Sequence, residues 1–160
     1  MNVESWLVWG FAGTVVLTTI LSGSQGLGMT RMNIPYLLGT MFTADRDRAK
    51  PLGIALHVVN GLVFSLVYVA AFEVWGGPTW WKGAAIGFVH AAFVVVAALP
   101  ALPGLHPRMA SERLGPTEVR QLEPPGFLGL HYGIQTPVSI VIAHIVFGVV
   151  LGAFYVPRHV

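Results

Sequence analysis

Pro51-Leu-Gly-Ile-Ala-Leu-His57-Val-Val-Asn-Gly61-Leu-Val-Phe-Ser-Leu-Val-Tyr68-Val-Ala-Ala-Phe72 carries no charged side chain and shows no two-residue alternation. A stretch of this length exceeds the ~20 residues a helix needs to cross ~30 Å of hydrocarbon. Without a period of two it cannot be a barrel strand, so a helix is the only structure that satisfies its backbone in lipid. Three more charge-free stretches follow the same rule: Ser5 to Thr30, Gly83 to Pro107 and Pro124 to Pro157. They predict spans near 5–27, 51–74, 80–100 and 137–156, within one transmembrane domain covering 1–160. Composition agrees: 54% of residues are hydrophobic and 10% charged, with a mean hydropathy of +0.69. A soluble domain carries about 25% charged residues. Lipid is the solvent for most of this surface.

The basic residues orient the chain. The segment 28–50 holds Arg31, Arg46, Arg48 and Lys50, and 101–136 holds Arg108, Arg113 and Arg120, against Lys82 and Arg158 on the other side. This asymmetry places loops 28–50 and 101–136 in the cytoplasm and both termini outside. Trp6, Trp9, Tyr68, Trp75, Trp80, Trp81 and Tyr155 lie toward the ends that share the outer face, as an aromatic belt does. The opening Met-Asn-Val-Glu-Ser-Trp carries an acid where a signal peptide carries bases, so the first span is expected to be retained. There are no cysteines, which removes disulfides, thiolate metal sites and Cys nucleophiles. A net charge of +2 with scattered basic residues gives no nucleic-acid surface.

The loops differ. Gly76-Gly77-Pro78 is a tight turn that would make the second and third spans antiparallel neighbours. Asn33-Ile-Pro-Tyr-Leu-Leu-Gly-Thr-Met-Phe42 is too apolar for a free loop and too short to span, which predicts an interfacial or re-entrant segment. The long 101–136 loop carries five of the eleven prolines and reads as an ordered cap. Arg108, Arg120 and Glu123 within it are candidates for docking a partner.

His57-Val-Val-Asn-Gly61 to Tyr68 and His144-Ile-Val-Phe-Gly148 to Tyr155 share His, Val59/Val146, Gly, Val63/Val150 and Tyr at matched offsets. The pattern predicts a duplicated helical hairpin, its halves related in parallel about the membrane normal. The inverted repeat of many secondary transporters is absent. Each span also shows a stripe of small or polar residues, including Gly13 on the first, Gly53 and Gly61 on the second, Gly83 and Gly87 on the third, and Gly148 and Gly152 on the fourth. Such stripes let membrane helices approach closely. The fold expected is all-α, an integral membrane four-helix bundle with its stripes inward.

His57, His90 and His144 are the only ionisable side chains well inside the spans, and such residues are functional candidates by default. Three readings stand. Each imidazole could donate to a nearby carbonyl or to a threonine such as Thr14 or Thr18, as a satisfied packing group. His57 and His144 could ligate haem b, with Gly53, Gly61 and Gly148 leaving room for the porphyrin. All three could hold Zn or Cu. Glu73 and the run Asp45-Arg-Asp-Arg48 read as interfacial and helix-anchoring residues. No phosphate loop, nucleophile elbow or His-Glu-x-x-His motif is present.

The run Met32-Asn-Ile-Pro-Tyr-Leu-Leu-Gly-Thr-Met, then Gly53-Ile-Ala-Leu-His57, Lys82-Gly-Ala-Ala-Ile-Gly87 and Ala143-His144 to Tyr155, resembles a group of small four-helix bacterial inner-membrane proteins of unknown function. The likeness covers most of the chain and implies that membrane and that fold. It implies no activity and no ligand. The expectation is a non-enzymatic accessory subunit of a larger membrane complex, or a homo-oligomer, in the bilayer. A haem-b electron carrier and a small-solute permease are the alternatives.

Overall fold

The computed structural model describes residues 1–111 and 113–158. Among these residues six α-helices run in the order α1 (Val3–Gly26), α2 (Ile34–Thr40), α3 (Arg46–Val74), α4 (Trp80–Phe93), α5 (Leu99–Leu105) and α6 (Thr136–Phe154). A π-turn at Val94–Ala98 joins α4 to α5, and a 3-10 segment at Phe127–Tyr132 precedes α6. Among the described residues four helical stretches are long and apolar enough to cross a membrane: α1, α3, the continuous Trp80–Leu105, and α6. The shortest has 19 residues, or about 28 Å of rise.

Local chemistry sets the boundaries. The Asn2 side chain accepts from the Ser5 amide at 3.1 Å and starts α1 two residues before the expected position. Asp45 accepts from the amides of Asp47 and Arg48, so α3 begins five residues ahead of Pro51, which then lies inside the helix. At the third span, the predicted end at 100 is overrun. Pro100 has no amide hydrogen and its ring meets the carbonyl four residues back; a widened π-turn immediately before it absorbs the clash and the helix continues to Leu105. Gly76 and Gly77 turn the chain with φ of 74° and 94°, which favours glycine over any L side chain.

The termini of the described chain and the Gly76–Gly77 turn lie at one end of the bundle. There the Tyr155 hydroxyl donates to Glu73 at 2.9 Å and accepts from the Asn2 amide at 3.1 Å. The loops containing α2 and residues 106–135 cap the other end. Large side chains on the bundle's outside, among them Val59, Val63, Val67, Phe88, Val89, Val96 and Ile142, are exposed. Tyr68, Phe72, Ile140, Phe147 and Leu151 are buried at its centre. That distribution suits a hydrocarbon solvent.

The glycines set which helices touch. A methyl group on Gly83 would overlap the Gly148 carbonyl, one on Gly87 the His144 carbonyl, and one on Gly152 the Thr79 carbonyl, so α4 and α6 meet backbone to backbone. Gly61 receives Thr14, and Gly10 lies against Ser65 and Leu62, which joins α1 to α3. Gly13 makes room for the Phe147 ring, which joins α1 to α6. Two expectations need correction. Gly53, read as part of a stripe between spans, instead lies against the Pro35 carbonyl, so it serves the short α2 that folds back on α3. The tight turn does not make α3 and α4 close neighbours. Each backbone pairs elsewhere, α3 with α1 and α4 with α6, and the two meet mainly through side chains.

The cap is ordered by buried and bridging polar groups. His106 Nε2 donates to the Leu37 carbonyl at 2.9 Å, and the Arg108 guanidinium donates to the Thr40 carbonyl at 2.6 Å, tying the cap to α2. Arg31 pairs with Glu123 at 3.2 Å, and Thr30 and Thr136 hydroxyls bond at 2.7 Å. Asn33 caps α2 by accepting from the Tyr36 amide at 2.9 Å.

Candidate functional site

Where α3 stands off from α4, the bundle keeps a cavity of about 190 Å³. Leu17 and Leu21 of α1, Ile140 and Phe147 of α6, and Val94 and Ala98 of the π-turn form its walls. Ile34, Leu37 and Leu38 of α2, with Leu99 and Leu102 of α5, close it toward the capped end. Its rim includes Asn60 and Phe64, both exposed on α3, so it opens toward the lipid-facing side.

All three intramembrane histidines line this one cavity. His57 Nδ1 lies 3.0 Å from the Thr18 hydroxyl. That hydroxyl already gives its hydrogen to the Thr14 carbonyl at 2.7 Å, so it must accept from His57 Nδ1–H. His144 Nδ1 lies 2.8 Å from the Ile140 carbonyl, which can only accept. With no carboxylate bonded to either ring among the described residues to balance an imidazolium, both rings are neutral. Each therefore carries its hydrogen on Nδ1 and leaves Nε2 as a bare acceptor.

His90 is the opposite case. Its Nδ1 lies 3.0 Å from the Tyr68 hydroxyl, the one hydrogen-bond partner that buried phenol has among the described residues. Tyr68 donates, so the His90 hydrogen sits on Nε2 and is a donor. Among the described residues no buried side-chain nitrogen or oxygen lacks a partner. The three Nε2 atoms have none, so each reaches accessible space, and all three residues line the cavity. The rings around this apolar space thus carry two free acceptors and one free donor.

Aromatic contacts hold the rings in place. Phe64 stacks on His90 at 4.5 Å, His90 meets His144 edge to face at 4.7 Å, and Tyr68 meets Phe147 edge to face at 5.2 Å. The satisfied-packing reading thus accounts for one nitrogen of each ring and leaves the other over.

Asn60 belongs to this site and is missing from the sequence-based candidates. It lies at the midpoint of α3, lines the cavity and makes no side-chain hydrogen bond among the described residues. Its signal was available: it is the only carboxamide well inside a span, three residues from His57 and four from Phe64, hence on one helix face. The role of Tyr68 and the π-turn walls could not be read before the helices were placed.

The cofactor readings can be tested against these residues. A porphyrin between His57 and His144 does not fit. Gly53, Gly61 and Gly148, which were to leave room for it, are filled by Pro35, Thr14 and Gly83. The His90 ring already lies 4.7 Å from that of His144, and a volume of 190 Å³ falls below even the ~300 Å³ lower range of drug-sized pockets. Among the described residues no trio of His, Cys, Asp or Glu is placed to share a metal ion.

At the cap, Arg108 and Glu123 spend their charged groups within the chain, on the Thr40 carbonyl and on Arg31. Of the three candidate docking residues, only the Arg120 guanidinium has no partner among the described residues, beside the exposed stretch 113–119. His106, 3% exposed, has its pKa lowered by burial, against the hydrogen bond to the Leu37 carbonyl that raises it and with the Arg108 charge that lowers it further. The Tyr132 phenol is pushed up to about 12 by burial and then by the Glu123 charge.

Comparison with protein families, with curated proteins and with solved structures finds no match in any of the three.

Proposed function

We propose that this chain is a non-enzymatic accessory subunit of the bacterial cytoplasmic membrane, whose bundle holds a small lipid-soluble molecule in the histidine-lined cavity. The observation that carries this reading is the set of three imidazoles that each secure one nitrogen on the protein and leave the other to a single apolar space. Unpaired polar atoms at mid-span cost free energy that a bound partner recovers. The absence of any buried carboxylate beside them supports binding over proton-coupled chemistry. Arg120, whose guanidinium has no partner among the described residues, and the exposed stretch 113–119 supply the surface by which the subunit would meet a larger complex.

Native mass spectrometry of the protein released from nanodiscs tests the reading. The expected result is a retained small molecule whose occupancy falls in the cavity-filling variant Ala98→Phe; a bare chain from both proteins would sink it. The proposed orientation, with the cap in the cytoplasm, is checked by single cysteines in this cysteine-free chain. Val74→Cys, at an exposed position beside the turn, should react with an impermeant maleimide on intact cells, and Ser111→Cys only after lysis.

A further inference from the structure

We infer that the cavity selects a neutral, single-ring hydroxyl compound, a phenol or hydroquinone headgroup, over apolar rings and over rings that only accept. The inference rests on the ligand-holding reading above and names the class of its ligand. It follows from the two hydrogen-bonding kinds on the walls. The bare Nε2 atoms of His57 and His144 require a donor, and His90 Nε2–H requires an acceptor. A hydroxyl is the smallest neutral group that is both. The His90 and His144 rings are in contact, with centroids 4.7 Å apart, so donor and acceptor sit on neighbouring rings.

Size and shape narrow the class. A cavity of about 190 Å³ is somewhat larger than the ~150 Å³ space that holds a benzene ring, so one substituted six-membered ring fills it. Phe64 and Phe147 provide aromatic surface for that ring. Asn60, exposed at the rim, offers a further amide to a second oxygen at the point where any tail would leave for the lipid. Water could meet the same nitrogens, but it would leave the aliphatic and aromatic remainder of the space empty, which a ring carrying the hydroxyl fills. A ketone or ether would satisfy His90 alone, and a hydrocarbon none of the three.

The test uses 19F NMR titration of the full chain in nanodiscs with 4-fluorophenol, 4-fluoroanisole and fluorobenzene. Each titration is corrected for partition into empty nanodiscs. A single added hydrogen bond to a buried partner is worth about tenfold in affinity, so 4-fluorophenol should bind at least about tenfold more tightly than either comparison compound. His144→Phe, which keeps a ring in place, should reduce that preference while fluorobenzene binding persists. Asn60→Leu, at an exposed side chain that makes no hydrogen bond among the described residues, should weaken it by a smaller factor. Equal binding of the three probes, or a preference untouched in both variants, overturns the hydroxyl class while leaving the ligand-holding reading intact. Binding of none above empty nanodiscs overturns both.

Discussion

The α4–α6 seam and the α3–α4 gap are built from the same helix, and they differ in what faces the neighbour. On its α6 side, α4 presents Gly83 and Gly87 to the backbone of Gly148 and His144, and nothing separates the two chains. On its α3 side it presents His90, which meets Phe64 and Tyr68 through ring contacts and leaves a cavity beside them. In lipid there is little hydrophobic force to draw helices together, so close van der Waals contact and hydrogen bonds decide the pairing. Glycine therefore sets where the bundle closes. Large polar rings set where it stays open.

The sharpest way to break the contrast is to put a side chain in the seam. Gly148→Leu forces bulk against the Gly83 carbonyl, backbone that has no rotamer to yield. A loss of about 3 kcal/mol or more is expected, read as a large fall in the detergent melting temperature. If the variant melted like the parent, the seam would not be what holds α4 in place.

A matched pair sharpens it. Ala91 is wholly buried in the core, whereas Ala98 borders the cavity. Ala91→Leu should destabilise by about 2 kcal/mol through overpacking. Ala98→Leu, which grows into empty space, should change stability by less than about 0.5 kcal/mol. Similar melting shifts in both variants would show that the gap is packed as tightly as the seam.

Much of this contrast was legible before any coordinates, but not its arrangement. The four spans follow from where charges are missing, and the glycine positions from four-residue spacing. What spacing could not supply was the partner of each glycine. Gly53 sits in the same stripe as Gly61, yet one faces α2 and the other α1, because the apolar run after Asn33 folds back as a helix. The matched His57 and His144 also part company: His57 donates to α1 through Thr18, while His144 donates within its own helix to Ile140. Identical offsets in sequence do not guarantee identical surroundings once α1 lies against α6 and α3 stands away from α4. A lone carboxamide in an apolar run, such as Asn60, has no partner to suggest until the gap beside it is seen.

Within the gap, Tyr68→Phe removes the hydroxyl that fixes the His90 tautomer. Hydrogen bonds between membrane helices are worth about 0.6 kcal/mol on average, so the stability change should be near that value. The larger consequence is chemical. Freed of its donor, His90 can carry its hydrogen on either nitrogen, and 15N chemical shifts of the labelled ring should move from an Nε2–H pattern toward a mixture. An unchanged Nε2–H spectrum would mean that something other than Tyr68 sets the tautomer, and the donor assigned to the cavity would lose its basis.

The cap provides the mildest test, because it closes the cavity from outside the spans. His106 is buried and donates to Leu37, the residue whose side chain helps seal the cavity's end. Its pKa is lowered in the folded state, chiefly by burial. Above the ordinary histidine value near ~6.5, both folded and unfolded chains hold it neutral and its contribution is fully present. As pH falls below that value the unfolded chain takes up a proton that the folded cap resists, so stability declines until the folded pKa is reached. Melting curves between pH 8 and pH 5 should show a loss of roughly a few degrees, and His106→Gln, which retains an amide donor for the Leu37 carbonyl, should flatten that slope. An equally steep slope in the variant would assign the acid sensitivity to other groups and leave α2 held over the cavity by Arg108 and its own packing on α3.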